Sequence, residues 1–297
     1  MAVPRIGLGC TNFGDPLDEE LSVTIVRAAY DLGVRFFDTA DAYGDGRSEL
    51  FLGRALRNRP RDEFVVATKF GSVVNGDTPA AGGARPEYIR AALDQSCRRL
   101  GLDHIDLYQL HEPDPSTPIE ETIGALEDLR IEGRIRAYGA SNLSVRELSA
   151  SIGPHRFATI QTMWNILHPK YGSEVVSCAF ANGIGVIPWF PLAGGLLSGK
   201  YERGVPFPPD TRYGRLPERI GFLADDLSMA RVDELSAIAK AGGCTLLEAA
   251  LGWLMSRPEV ISVIPGAMSL SQLNDNVRAC NTRISPDTLD ALISSGT

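Results

Sequence analysis

Apolar positions in this chain recur in a repeated unit: a helical stripe, a breaker, then a short apolar run. Between Asp18 and Leu32, residues Leu21, Ile25, Ala28, Ala29 and Leu32 fall at the spacing of one helix face, Gly33 stops the pattern, and Val34–Phe37 follows as a strand. From Pro86, residues Ile89, Leu93, Cys97 and Leu100 repeat the stripe before Gly101, and the run 105–110 follows. Thr117-Pro118-Ile119-Glu120 predicts a threonine N-cap, a first-turn proline and a reciprocal glutamate. That helix, with Ile119, Ile123, Leu126 and Leu129, ends at Gly133 before the run 135–138. Gly183 precedes 184–187, while Pro60, Gly153-Pro154 and Pro258 precede the runs 64–68, 157–160 and 260–264. Glycine suits these stops because it accepts left-handed dihedrals without steric cost.

With Ile6–Gly9 at the front, the pattern predicts eight strands separated by helical sequence. Alternating β and α elements imply a parallel sheet with helical crossovers. Eight units are what a closed (β/α)8 TIM barrel needs, and periodicity leaves an open doubly wound sheet as the structural rival. No linker, repeat block or low-complexity tract interrupts the series, so 1–297 reads as one α/β domain. The Pro/Gly-rich stretch 201–219 is too long for an ordinary turn and reads as a functional loop.

Composition narrows the function. Twenty-nine lysines and arginines against 37 aspartates and glutamates give a net charge of −8, which argues against a nucleic-acid partner. The five cysteines are scattered and odd in number, and no apolar leader or membrane-length run is visible, so a cytoplasmic protein without a membrane partner is expected. The sequence is silent on oligomeric state.

In a parallel barrel the chemistry lies where loops leave the strands. There the runs end in Asp38, Lys69, His111, Ser141-Asn142, Gln161 and Trp189, with Tyr43 in the loop after Asp38. Singly, each has an ordinary structural reading: an ion pair for Asp38 and Lys69, a hydrogen-bonded strand cap for His111, a loop aromatic for Tyr43. Together they bring a carboxylate, an ammonium, an imidazole and a phenol to one end of the fold, where such groups must satisfy one another. A phenol with a pKa of ~10 holds its proton at neutral pH, and a neighbouring ammonium stabilises the phenolate left behind. The carboxylate keeps that ammonium charged, and the imidazole can orient a carbonyl oxygen. The set is a general acid for an oxygen becoming an alkoxide, with hydride left to a cofactor. No nucleophile paired with a base and no metal-ligand spacing appears, so no metal is expected.

The segments Gly33-Val34-Arg35-Phe36-Phe37-Asp38-Thr39-Ala40-Asp41-Ala42-Tyr43-Gly44, Asp106–His111, Gly139–Asn142 and Ile264–Ala267 occur in the order of the aldo-keto reductase superfamily, which the chain resembles over nearly its whole length. The resemblance implies the closed barrel and a catalytic tetrad of Asp38, Tyr43, Lys69 and His111, with Tyr43 as acid. It implies a nicotinamide dinucleotide, NADP by family habit with NAD a close alternative. Ser141, Asn142 and Gln161 match the carboxamide ligands, and Trp189 stands where a tyrosine usually stacks on the ring. Leu192, Gly194, Gly195 and Leu196 match the pyrophosphate loop. Gly266, Met268, Gln272, Asp275 and Asn276 match the adenosine end, and Gly9, Cys10 and Thr11 the cofactor side of the first strand. Family cations are missing at Gly266 and Gln272, leaving the N-terminus of a helix over 269–279, and Arg278, to attract phosphate. Phe13, Trp164 and Phe190 are expected in a substrate pocket; for Phe13 and Trp164 a core position is the equal alternative. Loops 71–86 and 192–228 are expected over the C-terminal face.

Two motifs are near misses. Residues 194–201 almost spell a phosphate-binding loop, but Tyr201 replaces the magnesium-binding hydroxyl residue, and Gly7, Gly9 and Gly14 fail the dinucleotide fingerprint. The expected activity is reduction of an aldehyde or ketone, with a small-molecule carbonyl or sugar as substrate. The alternatives are an aldose dehydrogenase running oxidatively and a cofactor-binding regulator of the same fold, like potassium-channel β subunits.

Overall fold

A computed structural model describes residues 3–72 and 83–294. Seven parallel strands run in sequence order: β1 (Gly7–Gly9), β2 (Phe36–Asp38), β3 (Val65–Phe70), β4 (Ile105–Leu110), β5 (Ile135–Ser141), β6 (Thr159–Gln161) and β7 (Gly185–Val186). The eighth apolar run closes the ring without forming a regular strand. Val260 bridges to Val186, Val263 to Ile6 and Gly266 to Gly9. Backbone bonds support the closure: Ile261 N donates to Val186 O (2.9 Å) and Gly7 N to Val263 O (2.9 Å). Pro265 lacks an N–H to extend that ladder. The sheet is therefore a closed (β/α)8 barrel, and the open-sheet rival falls away.

Helices follow the expected breakers. α1 (Glu19–Asp31) starts where the Asp18 carboxylate accepts from Leu21 N at 2.9 Å. It buries Ile25, Val26 and Ala29, whereas Leu21 and Leu32 are partly exposed at its two ends. After α2 (Arg47–Leu56), α3 (Pro86–Leu100) opens on a proline and stops at Gly101, whose φ of 68° lets its N–H reach Cys97 O.

One cap departs from expectation. α4 (Ile119–Ile131) has Pro118 at its cap and no side-chain cap bond. Thr117 Oγ1 instead donates to Asp114 Oδ2 (2.8 Å), a carboxylate that also takes Ala84 N and Ser116 N, each at 2.8 Å. Donating that proton leaves the hydroxyl oxygen able to accept, so the cap is lost by position: Pro118, not Thr117, stands at the helix boundary.

The later helices are α5 (Val145–Ala150), α6 (Ser173–Ala181), two short turns α7 (Arg212–Arg215) and α8 (Pro217–Ile220), then α9 (Asp226–Ala241), α10 (Leu246–Met255), α11 (Leu270–Asn281) and α12 (Pro286–Ser294). The stretch read as one loop over 201–219 thus carries α7 and most of α8. Of the expected loop 71–86, residues 73–82 lie outside the described residues.

Alternation along the strands positions the site. Successive side chains on a strand point to opposite faces, so residues two apart share one. Phe36, Ala67 and Leu107 form a small buried cluster with Ile187 and Ile264 inside the ring. Two residues further along the same strands come Asp38, Lys69 and Gln109, stacking a buried polar layer above the apolar one. The large core, with Ile25, Leu52, Leu93 and Leu126, lies between sheet and helices.

Candidate active site

Lys69 is 1% exposed, and its ammonium is fully engaged. Nζ donates to Asp38 Oδ2 at 2.6 Å, to Thr39 O at 2.9 Å and to Tyr43 Oη at 3.4 Å. Three donors meet three acceptors, as a buried ammonium requires. The other carboxylate oxygen, Asp38 Oδ1, accepts from Gln161 Nε2 (2.6 Å) and Gln109 Nε2 (3.3 Å). Gln109 was not flagged by the sequence, although its place two residues before His111 on the inward face of β4 marks it.

The Tyr43 ring meets the His111 ring edge-on, with centroids 5.6 Å apart. The β3–β4 pairing delivers His111 there, because its N–H donates to Phe70 O at 2.8 Å. Four groups predicted from four separate places in the sequence therefore converge at one mouth of the barrel.

Electrostatics divide the roles. Burial works to lower the Lys69 pKa, but Asp38 and Tyr43 outweigh it, and the ammonium stays charged with a raised pKa. Burial raises the Tyr43 pKa and the Lys69 charge pulls it down without reversing it. The sequence-based expectation concerned that pull alone; packing of the phenol makes the net direction upward. His111 is pushed down to about 3, first by burial and then by the Lys69 charge, so it is neutral at physiological pH. Its Nδ1 is buried without a hydrogen-bond partner among the described residues.

A histidine that stays neutral when folded but protonates near 6.5 when unfolded gives the unfolded chain the greater proton uptake. Its contribution to stability is complete above pH ~6.5 and is lost as pH falls towards the folded value. His111 imidazole nitrogens are accordingly expected not to titrate between about pH 8 and pH 4.5 in 15N NMR. Urea midpoints should fall less over that interval in His111→Asn than in the unsubstituted chain.

A cavity of about 360 Å3 opens beside this cluster, with Asp38 and Tyr43 in its wall. It reaches past Gly9, Cys10, Thr11, Gln161 and Trp189 to Gly266, Met268, Gln272, Asp275 and Asn276 at the start of α11. Leu192, Gly194, Gly195 and Phe190 also line it. Ala193, Gly194 and Gly195 take φ values of 47°, 66° and 105°, a run of left-handed backbone that glycine makes accessible. At the far end Ser269 caps α11, accepting from Gln272 N at 3.2 Å, while Asn276 Nδ2 donates to Gly266 O at 3.1 Å.

Other expected residues sit elsewhere. Ser141 and Leu196 are buried and do not line the cavity. Asn142, at φ 61°, is spent on protein: its Nδ2 donates to Glu112 Oε1 (2.7 Å) and its Oδ1 accepts from Trp189 Nε1 (3.0 Å). Phe13 is fully buried, and Trp164 packs edge-on against Trp253 at 5.0 Å with its N–H on Pro169 O. Both belong to the core rather than to the cavity wall. Arg278 is also outside the wall and pairs with Asp275 at 3.0 Å. Conversely, Lys200 and Arg212 line the cavity and were not singled out by the sequence. Lys200 lies in an irregular stretch and Arg212 opens the four-residue turn α7, and neither is long enough for a pattern to say which way it faces.

A closed parallel barrel with a lysine-anchored phenol over a long glycine-flanked cavity defines a (β/α)8 oxidoreductase. The sequence matches the Aldo/keto reductase family over residues 5–295. The chain belongs to that family and is a nicotinamide-dependent oxidoreductase.

It is 32% identical over 289 residues to a probable aldo-keto reductase 1 of Glycine max, covering 95% of this chain and 82% of that protein. Among solved structures it is similar to the holo form of aldo-keto reductase AKR11C1 from Bacillus halodurans, at 29% identity and a TM-score of 0.80 over 99% and 92% of the two chains. The glycerol dehydrogenase AKR11B4 of Gluconobacter oxydans gives 29% and 0.82 over 99% and 91%. An aldo/keto reductase from Klebsiella pneumoniae in complex with NADP and acetate gives 26% and 0.75 over 98% and 91%. No described helix is long and apolar enough to cross a membrane.

Proposed function

We propose that the chain reduces an aldehyde or ketone to the alcohol, with NADPH as reductant and the Tyr43 hydroxyl as general acid. The observation that carries this reading is the single ammonium of Lys69 touching both Asp38 and Tyr43 at the wall of the cavity. The residues fit the cofactor chemically. Left-handed Gly194 and Gly195 expose backbone without Cβ atoms, and Lys200, beside Gly195, and Arg212, over the Phe190 ring, add two cations to the cavity wall. Asp275 is neutralised by Arg278, which lessens its repulsion of a ribose phosphate. The Klebsiella neighbour's complex with NADP supports the phosphorylated form.

When bound, the reduced nicotinamide supplies hydride to the carbonyl carbon. Tyr43 gives its proton to the carbonyl oxygen, and Lys69 stabilises the phenolate until solvent returns a proton. Neutral His111 orients the same oxygen by a hydrogen bond. Asp38, braced by Gln109 and Gln161, holds the lysine. Phe190 contributes apolar surface to the substrate side. The five cysteines are unpaired, in keeping with a cytoplasmic enzyme.

The likeness to a glycerol dehydrogenase supports a second direction, oxidation of a polyol or sugar hydroxyl through the same site, with Tyr43 as phenolate base. Loss of absorbance from NADPH and from NADH, followed against panels of aldehydes, ketones and sugars, tests both. Carbonyl-dependent oxidation with a preference for NADPH is expected. Tight cofactor binding with no turnover in either direction would favour a regulatory role and overturn the reading.

A further inference from the structure

At the opposite end of the barrel, where helices run out and strands begin, a second cavity of about 380 Å3 lies between the ends of α2 and α3. Its wall carries Arg54, Arg57, Arg59, Arg61, Arg98 and Arg99, with Asp103 as its one carboxylate. That is a concentrated positive wall in a chain of net charge −8. We propose that this cavity binds a small phosphate-bearing anion, at a site separate from the cofactor cavity.

Part of the wall is rigidly held and part is unpaired. Arg61 is anchored by Asp106 (2.7 Å) and Arg99 by Glu49 (2.6 Å), both carboxylates being fully buried, so these two guanidiniums are fixed from inside. Arg54 pairs with Glu19, and Arg59 with Asp31 at 2.9 Å, on the outer rim. Arg57 and Arg98 have no carboxylate partner among the described residues; Arg98 Nε reaches only the Asp94 carbonyl at 3.1 Å. The wall therefore keeps surplus positive charge in the group best suited to bidentate phosphate recognition.

The floor permits the close approach that makes the cavity. A Cβ on Gly53 would lie 2.4 Å from Leu100 O, so α2 and α3 meet here only through glycine. His104 lies in the same wall, its Nε2 3.9 Å from Asp106 and buried without a hydrogen-bond partner among the described residues; burial and then Arg61 and Arg136 push its pKa down against the pull of Asp106. Arginines in the last turns of two helices also complement the carbonyl ends. That role needs charge at each terminus, not six guanidiniums around one cavity.

Inorganic pyrophosphate is the probe, titrated calorimetrically into the full chain with and without saturating NADP+. One-to-one binding that survives NADP+ is expected, weakened about tenfold or more in Arg57→Ser/Arg98→Ser. The double variant Arg146→Ser/Arg283→Ser, which removes the same charge elsewhere, should match the unsubstituted chain within about twofold. Pyrophosphate should also raise the His104 pKa seen by NMR, because a nearby anion favours imidazolium. The proposal is overturned by absence of saturable binding, by binding that NADP+ abolishes, by equal weakening in both double variants, or by an unmoved His104. It does not depend on the catalytic reading, since none of these readouts is turnover.

Discussion

Tyr43→Phe is expected to lower kcat/KM for carbonyl reduction by about 10²- to 10⁴-fold, the range for a positioned general acid. Affinity for NADPH, measured by quenching of protein fluorescence, should change less than about twofold. The substitution removes one oxygen and keeps the ring packed against His111. The bond lost is the long 3.4 Å contact to Lys69, which leaves one donor of a buried ammonium unmet, so the fold should weaken by about 1–3 kcal/mol.

The pH profile separates this role from a packing role. The acid is active when protonated, and its pKa lies above the ordinary tyrosine value. Reduction should hold through the neutral range and fall on the alkaline side, and that limb should vanish in the variant. Oxidation should show the opposite slope, rising with pH as the phenolate forms. Unchanged turnover in Tyr43→Phe would remove the phenol from the chemistry.

The parts of this site that could be read from the sequence are those fixed by strand alternation and strand ends. Asp38, Lys69 and Gln161 end their apolar runs, and a barrel brings such ends together whatever its loops do. His111 follows from the same rule. Gln109 is not legible as a site residue, because a neutral amide inside a strand carries no chemical flag; its meaning comes from facing Asp38 across β3. Phe13 and Trp164 fall near strand ends yet face the core, since sequence position does not say which side of an irregular loop a ring takes. The eighth run was legible as a segment, but not its broken ladder, which depends on Pro265 lacking a donor at the closure. Thr117 carries the local signature of a cap, but the helix boundary falls one residue later at Pro118, and the Thr117 hydroxyl donates to Asp114. Lys200, in an irregular stretch, and Arg212, in the single turn α7, are not legible because neither stretch is long enough for a period to tie it to a face.

Lys69→Met should be the most destabilising single change in the site. It deletes the ammonium and leaves the Asp38 carboxylate, 3% exposed, with only the two glutamine amides. Breaking a buried pair from one side costs about 3–5 kcal/mol, because the remaining charge is neither solvated nor neutralised. Urea unfolding at neutral pH should show a loss of that size. Asp38→Asn/Lys69→Met removes both charges at similar volume, and most of the lost stability should return. Activity should not return with it, because Tyr43 still lacks the cation that stabilises its phenolate. A structural ion pair would recover both properties in the double variant. Recovery of the fold without recovery of turnover assigns Lys69 to the chemistry and Asp38 to holding it.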